Sequence, residues 1–344
     1  MKKSSAKPPG FMDLLETFMT EYMPFSKGLS KNTIKTYKFT FRLLLNYLYE
    51  IKGIDADRIK FSHLDFDTIN GYLLWLENER KCSIATRNIR YTALSAFARY
   101  AQNRSIDAAM TFMNALRRVP TKTAAESPRT TFTLDELKVL FRLPDTKRDT
   151  GLRDKVMLNL MYASGARAQE ICDLTVRDVQ FQDDVTKLTI SGKGDKTRRI
   201  NIAKPAADLL KEYLAHRGIL KDLDRHIFSS QTHEHMTTSC ITVIFKKYVT
   251  LGKEQHPTMF REKRYSPHTM RHTTATSMLE AGVPILAIKN FLGHASVTTT
   301  ERYAEFTQAT VNKHIREWNA KWFPQTETDT EPEAQVNNLP SFLA

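Results

Sequence analysis

A short stretch without helical periodicity divides the chain into two segments of domain size. Residues 118–131 (RVPTKTAAESPRTT) contain two prolines and several small polar residues, which interrupt the helical pattern on either side. Because the chain has 344 residues, each side is long enough to bury a core of its own. The sequence therefore predicts an N-terminal domain over residues 1–117, a linker over 118–131 and a second domain over 132–323.

Before the linker, apolar residues recur with the spacing of amphipathic helices. Four such patterns begin near Phe11, Ser30, Asp67 and Ser83, and Ser30 is the expected N-cap of the second. The chain has only 12 glycines, which favours helices over a many-turned β architecture. We expect a compact helical bundle.

The second segment is predicted to be mostly helical, with one β-hairpin. Thr133 and Glu136 form a capping-box pattern at a helix start, and helical spacing resumes from Pro205 to about Phe323. Alternating residues over 187–191 and 197–202 flank Gly-Lys-Gly-Asp-Lys, as in a hairpin. The predicted fold class is therefore mainly α (α+β): a helical domain plus a mostly helical domain with a small antiparallel hairpin or sheet. The tail over 324–344 is acidic, and we expect it to be disordered.

The chain is strongly basic, which limits the partners that it can bind. Its net charge is +13, and without the four acids of the tail it rises to +17. Such a charge suits the phosphate backbone of a nucleic acid, although a solvated basic surface would explain it as well. The three cysteines are scattered and predict no disulfide framework. No apolar stretch is long enough for a signal peptide or a membrane span, so we expect a cytoplasmic protein.

Two basic stripes lie on the predicted helices of the first segment. Residues at helical spacing line one side of the second helix, and two arginines lie on the fourth. These stripes are candidates for DNA contact, and the alternative is that they are simply solvated faces. The residues are Lys31, Lys35, Lys38, Arg42, Arg87 and Arg90.

The second segment carries the residues that a metal-free phosphodiester exchange needs. Such a reaction requires fixed positive donors on the phosphate, a nucleophile, and a proton donor for the leaving oxygen. Glu170 follows Arg167 by three residues, so the two side chains share a helix face. Each of these short motifs is weak evidence for a catalytic site when it is taken by itself. In chain order they are Gly165-Ala166-Arg167 with Glu170, Gly192-Lys193-Gly194-Asp195-Lys196, His268-Thr269-Met270-Arg271, Leu292-Gly293-His294 and Tyr303.

This ordered set resembles the tyrosine recombinase (phage integrase) family. The family pattern runs G-x-R-x-x-E, a G-K-G-x-K hairpin, H-x-x-R, L-G-H and a tyrosine nine residues later, and all of it is present over about residues 133–320. The first segment is similar, less specifically, to the family's core-binding domain. The chain looks like a two-domain member of the Xer or transposon type.

The resemblance implies a catalytic role for each matching residue. Tyr303 would be the nucleophile that forms a 3′-phosphotyrosine with DNA. Arg167 and Arg271 would grip the phosphate, and His268 and His294 would complete its hydrogen bonds. Neither a cofactor nor a metal ion is implied.

Four further assignments depend on the same resemblance. Lys193 would be the general acid, although Lys196 in the same loop stays an alternative. Glu170 would hold the arginine–histidine cluster in place. The protein would act as a homotetramer on two DNA duplexes, and be a monomer or weak oligomer alone. An apolar face over residues 309–323 would dock either on a neighbouring subunit or on its own domain.

Other functions share parts of this pattern. A type IB topoisomerase uses the same tyrosine and arginine chemistry, and a DNA-binding regulator could share the fold. Within the family, the residues do not separate a chromosome dimer resolvase, a transposon recombinase and a phage-like integrase, nor do they give the target sequence. His233, His235 and Cys240 lie close in sequence but match no common zinc spacing.

Overall fold

The computed structural model describes residues 9–123, 130–182, 185–192, 196–230, 232–262 and 264–293, without the side chains of 106–108. The chain separates into two compact units that meet in sequence between Ser127 and Pro128. Lys193, His294 and Tyr303 lie outside the described residues, as do the expected helix at 309–323 and the tail.

The N-terminal unit is a helical bundle. Its elements are α1 (Phe11–Thr17), a π-helical segment (Phe18–Ser26), α2 (Lys31–Lys52), two short 3-10 turns (Ala56–Arg58 and Phe61–His63), α3 (Phe66–Asn78), α4 (Ile84–Gln102) and α5 (Ile106–Arg118). Ser30 caps α2 as expected, because its hydroxyl accepts a hydrogen bond from the backbone N–H of Thr33 at 3.3 Å. The helix α5 was not predicted.

Aromatic side chains fill the core of this unit. The ring of Phe97 is fully buried and lies 5.5 Å from that of Phe11, 5.3 Å from Phe18 and 5.1 Å from Phe41, measured between centroids. Edge-to-face and tilted aromatic contacts of this kind stabilise a core beyond the area that they bury. Because these three residues come from three different segments of the chain, the contacts of Phe97 hold those segments together in one core.

The first residues of the predicted linker belong to the N-terminal unit. Val119 is buried, and the side-chain amide of Asn88 donates to the backbone oxygen of Lys122 at 2.7 Å. The ammonium of Lys122 also pairs with Glu77 at 2.8 Å. The predicted linker, 118–131, therefore starts too early in the sequence.

The second unit is mostly helical and contains one small sheet. Its helices are α6 (Leu134–Arg142), α7 (Asp149–Ser164), α8 (Ala168–Asp173), α9 (Lys204–His216), α10 (Thr238–Gln255), α11 (Pro267–Glu280) and α12 (Ile285–Leu292). The strands β1 (Val179–Gln180), β2 (Thr186–Gly192) and β3 (Lys196–Ile202) form an antiparallel sheet in that order. Both the mainly helical fold class and the hairpin are confirmed, whereas β1 was not predicted.

The register of the hairpin determines which side chains face the core. Gly192 pairs with Lys196 and Thr186 with Ile202. Ile200 and Ile202 are buried, and the alternation of a strand directs Arg198 to the same side.

Among the described residues, no helix is both long and apolar enough to cross a bilayer.

Candidate functional site

The junction of α7 and α8 positions Arg167 and Glu170. Helix α7 ends at Gly165, which adopts the left-handed conformation (φ +56°), and Arg167 is the N-cap of α8. One carboxylate oxygen of Glu170 accepts from the backbone N–H of Arg167 at 2.9 Å, and the other accepts from its guanidinium at 2.8 Å. The Arg167 side chain is 41% exposed and that of Glu170 only 4%. Glu170 therefore holds an arginine that is still accessible to a ligand.

A further arginine, Arg198 on β3, contacts the same carboxylate. Its Nη2 donates to Oε2 of Glu170 at 2.8 Å, and its side chain is only 10% exposed. Burial by itself raises the pKa of Glu170, but the hydrogen bond and charge of Arg198, with the bonds from Arg167, outweigh it and hold that pKa below its ordinary value. The carboxylate is therefore ionised at neutral pH.

Arg271 on α11 connects two other segments of the site. Its Nη1 donates to the backbone oxygen of Gly165 at 2.8 Å, and its Nη2 donates to that of Leu292 at 2.7 Å. The residue is 1% exposed. At least two of its five N–H donors are thus engaged with carbonyl oxygens, a structural task beyond the phosphate contact expected from the sequence. We call Arg167, Glu170, Arg198 and Arg271 the arginine cluster.

His268 lies one turn before Arg271, at the exposed start of α11. Its ring is 4.7 Å from that of His272, in an edge-to-face arrangement. His272 was not identified from the sequence, although an i, i+4 spacing on a helix could have indicated it.

Two tertiary contacts hold α11 and the segment that precedes it. The buried hydroxyl of Thr273 accepts from the backbone N–H of Phe132 at 2.9 Å. Glu136, the capping-box residue of α6, accepts from the backbone N–H of Phe260, a residue with a left-handed φ of +54°. The predicted capping box is confirmed, and its glutamate also anchors the chain before α11.

The described residues just before Lys193 and His294 border the arginine cluster. A Cβ atom on Gly192 would lie 3.3 Å from Oε1 of Glu170, and one on Gly293 would lie 3.1 Å from Cδ of Arg198. Gly293 also has a left-handed φ of +68°, which a side chain rarely adopts. The ends of β2 and α12 thus meet at the cluster. Lys196, the alternative acid, is described and exposed, opposite Gly192 in the hairpin.

No group of three potential metal ligands occurs within the described ranges. His235 pairs with Asp173 at 3.1 Å and stacks on His226, with 4.4 Å between ring centroids. His233 contacts Thr232 at 2.7 Å. These contacts direct His233 and His235 to different partners, and they do not arrange the two histidines and Cys240 around one point.

The basic face of the N-terminal unit differs at one position from the prediction. Arg87 is 2% exposed, and its Nε lies 3.4 Å from Oε1 of Glu77 in α3. Arg87 therefore lies inside the bundle and is withdrawn from the candidate DNA contacts. Helical spacing could not show this, because the carboxylate that pairs with it comes from another helix.

The remaining basic residues surround a shallow groove between α2 and α4. The guanidinium groups of Arg42 and Arg90 each lie 4.8 Å from the ring of Phe39. Arg90 also donates to the backbone oxygen of Thr36 and the hydroxyl of Thr40, both at 3.1 Å. The groove has a volume of about 410 Å³ and is lined by Lys35, Thr36, Lys38, Phe39, Arg42 and Arg90. Lys31 is also exposed, at the start of α2.

Two sequence profiles match most of the chain. The phage integrase family matches residues 130–309, and the phage integrase N-terminal SAM-like domain matches residues 14–108. A putative integrase/recombinase of Sinorhizobium fredii is 31% identical over 301 residues, which cover 86% of this chain and 88% of that protein. The tyrosine recombinase XerD of Listeria monocytogenes is 30% identical over 301 residues, covering 86% of this chain and 95% of that protein.

The fold matches a solved structure as well. The XerH site-specific recombinase bound to palindromic difH substrate has a TM-score of 0.67, with coverage of 86% of this chain and 82% of that one, at 19% identity. The profile matches, the identity to curated recombinases and the fold agree with the motifs described above. The chain belongs to the phage integrase family of tyrosine recombinases and is an enzyme of site-specific recombination that cleaves and rejoins DNA strands.

Proposed function

We propose that this recombinase cuts each DNA strand through a covalent bond between Tyr303 and a 3′-phosphate. The phenolic oxygen of Tyr303 attacks the phosphorus, and the bond to the 5′ oxygen of the next nucleotide breaks. A 5′-hydroxyl of a partner strand then attacks the phosphotyrosine, which restores a phosphodiester and frees the tyrosine. The observation that carries this proposal is the arginine cluster, bordered by the glycines that precede Lys193 and His294.

The cluster has the chemistry that this reaction requires. A phenol ionises with a pKa of about 10, so an unassisted phenolate at neutral pH costs about 4 kcal/mol. The exposed guanidinium of Arg167 and the charge of Arg271 offset that cost and stabilise the negative charge of the transition state. His268 and His294 add hydrogen bonds to the phosphate oxygens, and Glu170 holds Arg167 in place.

The leaving oxygen also needs a proton. An alkoxide is roughly as basic as hydroxide, whose parent acid has a pKa of about 15.7, so an acid in the hairpin loop speeds its departure. We assign this role to Lys193. Lys196 is the alternative, since it lies in the same hairpin.

The groove of the N-terminal unit is the proposed DNA-binding surface. Five cations at or near the groove suit a phosphate backbone, and the partly exposed ring of Phe39 stiffens the two arginines beside it. The contacts proposed here are Lys31, Lys35, Lys38, Arg42 and Arg90.

Strand exchange between two duplexes requires four cuts, so we propose that four copies act together on DNA. The similar XerH recombinase was crystallised bound to its difH substrate. By analogy, this chain would bind a short DNA target site, with one copy on each half-site.

Replacement of Tyr303 by phenylalanine tests the covalent mechanism. The variant is expected to bind target DNA as wild type does and to form no covalent adduct, because only the nucleophilic oxygen is lost. The measurement is a denaturing gel of protein incubated with a nicked target duplex, in which the cut strand cannot be rejoined.

Wild-type protein is the positive control, and its adduct must survive denaturant. Tyr162→Phe is a matched control within the same unit, since its phenol lies outside the proposed chemistry. An adduct that still forms with the Tyr303 variant would disprove the assignment of the nucleophile. Relaxation of a supercoiled plasmid without any target site would instead favour a topoisomerase.

A further inference from the structure

Glu170 creates an electrostatic problem for the proposed reaction. Its carboxylate lies 2.8 Å from the guanidinium of Arg167, which has to stabilise negative charge on the phosphate. At so short a distance inside a protein, one negative charge cancels much of the field of one positive charge. An isolated Arg167–Glu170 pair would therefore have a net charge near zero and attract a phosphate weakly.

Arg198 supplies the charge that is missing from this pair. Its guanidinium contacts Oε2 of Glu170, while that of Arg167 contacts Oε1, so one carboxylate lies between two cations. The three groups have a net charge of +1. Because the side chain of Arg198 is 10% exposed and that of Arg167 is 41% exposed, Arg167 is the one that a ligand can reach.

The position of Arg198 links it to two other parts of the site. It projects from β3, the strand that follows the Lys193 loop, and its Cδ and Nη1 would lie 3.1 and 3.2 Å from a Cβ on Gly293. Its Nε is buried and has no hydrogen-bond partner among the described residues. A buried donor of this kind calls for an explanation, and the contact of the same guanidinium with Glu170 supplies one.

We infer, resting on the proposed function, that Arg198 is a positioning residue that offsets the charge of Glu170. Arg167 then keeps a net positive charge toward the scissile phosphate. Arg198 acts through Glu170 and does not contact DNA itself. The motif pattern found in the sequence contains neither this residue nor this role.

The chain offers a matched control on the same strand. Arg199 is adjacent to Arg198, but it is exposed and lies on the opposite face of β3. Arg198→Gln and Arg199→Gln remove the same charge from neighbouring positions. Only Arg198→Gln removes a positive charge that contacts Glu170.

The experiment measures the single-turnover rate of covalent adduct formation on a nicked target duplex, at saturating protein. Arg198→Gln is expected to slow this rate about ten- to hundredfold relative to Arg199→Gln, the usual effect of losing a hydrogen bond between charged groups. Affinity for a half-site should be the same for both variants. Thermal unfolding of each variant shows that the rate is measured on folded protein.

A double-mutant cycle separates this role from simple packing of the strand. In a Glu170→Gln protein there is no negative charge to offset. Adding Arg198→Gln should then lower the rate by no more than about twofold, which is the deviation from additivity seen between independent substitutions. Independent, multiplied losses would show that Arg198 only supports the strand.

Two further results keep the inference separate from the proposed function. If wild-type protein forms no adduct, the proposed covalent mechanism fails, whatever Arg198 does. If wild type forms the adduct and Arg198→Gln matches Arg199→Gln, only the inference fails. Should Arg198→Gln not fold, Arg198→Lys replaces it: a folded lysine variant near the wild-type rate supports charge compensation, and a folded but inactive one contradicts it.

Discussion

Glu170 has two carboxylate oxygens, and three described N–H donors converge on them from Arg167 and Arg198. A carboxylate with so many donors has a fixed orientation, and so has the arginine beside it. Arg271 differs, because its Nη atoms bind backbone oxygens at the ends of two separate helices, Gly165 after α7 and Leu292 in α12. The two arginines that the motifs imply as phosphate ligands are therefore held in different ways.

This difference predicts different effects of substitution at the two arginines. Arg167→Ala should lower the cleavage rate at least ~10²–10³-fold, as loss of a transition-state donor does, without changing half-site affinity much. Arg271→Ala should lower it as much and also lower the unfolding temperature, because two buried carbonyl oxygens lose their donor. Single-turnover cleavage, a half-site binding assay and thermal unfolding test these expectations.

Arg177→Ala is the matched control, since that arginine is exposed and pairs with Asp224 on the surface of the same unit. It should leave all three measurements near their wild-type values. If Arg167→Ala cleaves within tenfold of wild type, Arg167 has no catalytic role.

At the scale of elements, the hairpin shows what a sequence can predict. Strict alternation over β2 and β3 indicated both strands, and Gly192 marked the turn, since local spacing determines these features. β1 has only two residues and no periodicity to detect. Arg198 could have been found, because it alternates with the buried Ile200 and Ile202, but a basic residue near a turn resembles any solvated charge.

Tertiary partners explain the errors on the helices. Helical spacing alone assigns Arg87 to a surface stripe, whereas Glu77 of α3 pairs with it inside the bundle. Nothing in the local sequence of α4 specifies that carboxylate. Residues whose environment comes from their own helix or strand were predictable, and residues whose environment comes from a distant segment were not.

The hairpin loop leads to a prediction about the general acid. Lys193→Ala should cleave an ordinary target slowly, but recover on a substrate with sulfur in place of the bridging 5′ oxygen. A thiolate leaves without a proton because a thiol ionises with a pKa of about 8.5, far below that of an alcohol. The measurement is the single-turnover rate on both substrates.

Two other variants make that result specific. Arg167→Ala should show no recovery on the sulfur substrate, since its guanidinium acts on the phosphate and not on the leaving group. Lys196→Ala should cleave the ordinary target at nearly the wild-type rate. If Lys196→Ala is the variant that recovers, the acid is Lys196.

At the scale of the whole molecule, charge and assembly belong together. Without the acidic tail the chain has a net charge of +17, which opposes self-association in the absence of DNA. DNA neutralises that repulsion, and binding should weaken steeply with salt, by a slope of about 0.9 per phosphate contacted. The proposed tetramer should therefore form on target DNA and not in free solution.

The segment after Tyr303 is the proposed contact between copies. Within 309–323, Val311, Ile315, Trp318 and Trp322 recur at helical spacing. Deleting residues 309–344 should leave half-site binding intact and abolish the pairing of two sites, as measured by gel shift and by recombination of a two-site plasmid. Recombination at the wild-type rate after the deletion would place the contact elsewhere.

The close approach of Arg198 to Gly293 constrains how this chain can diverge. A side chain at position 293 would have to adopt a left-handed backbone, and the Arg198 side chain, which contacts Glu170, would have to shift by a few tenths of an ångström. Gly165 is under the same kind of restriction, since a Cβ there would lie 2.5 Å from Leu292. A substitution at either glycine would therefore disturb a side chain that is distant in the sequence, Arg198 for Gly293 and Leu292 for Gly165.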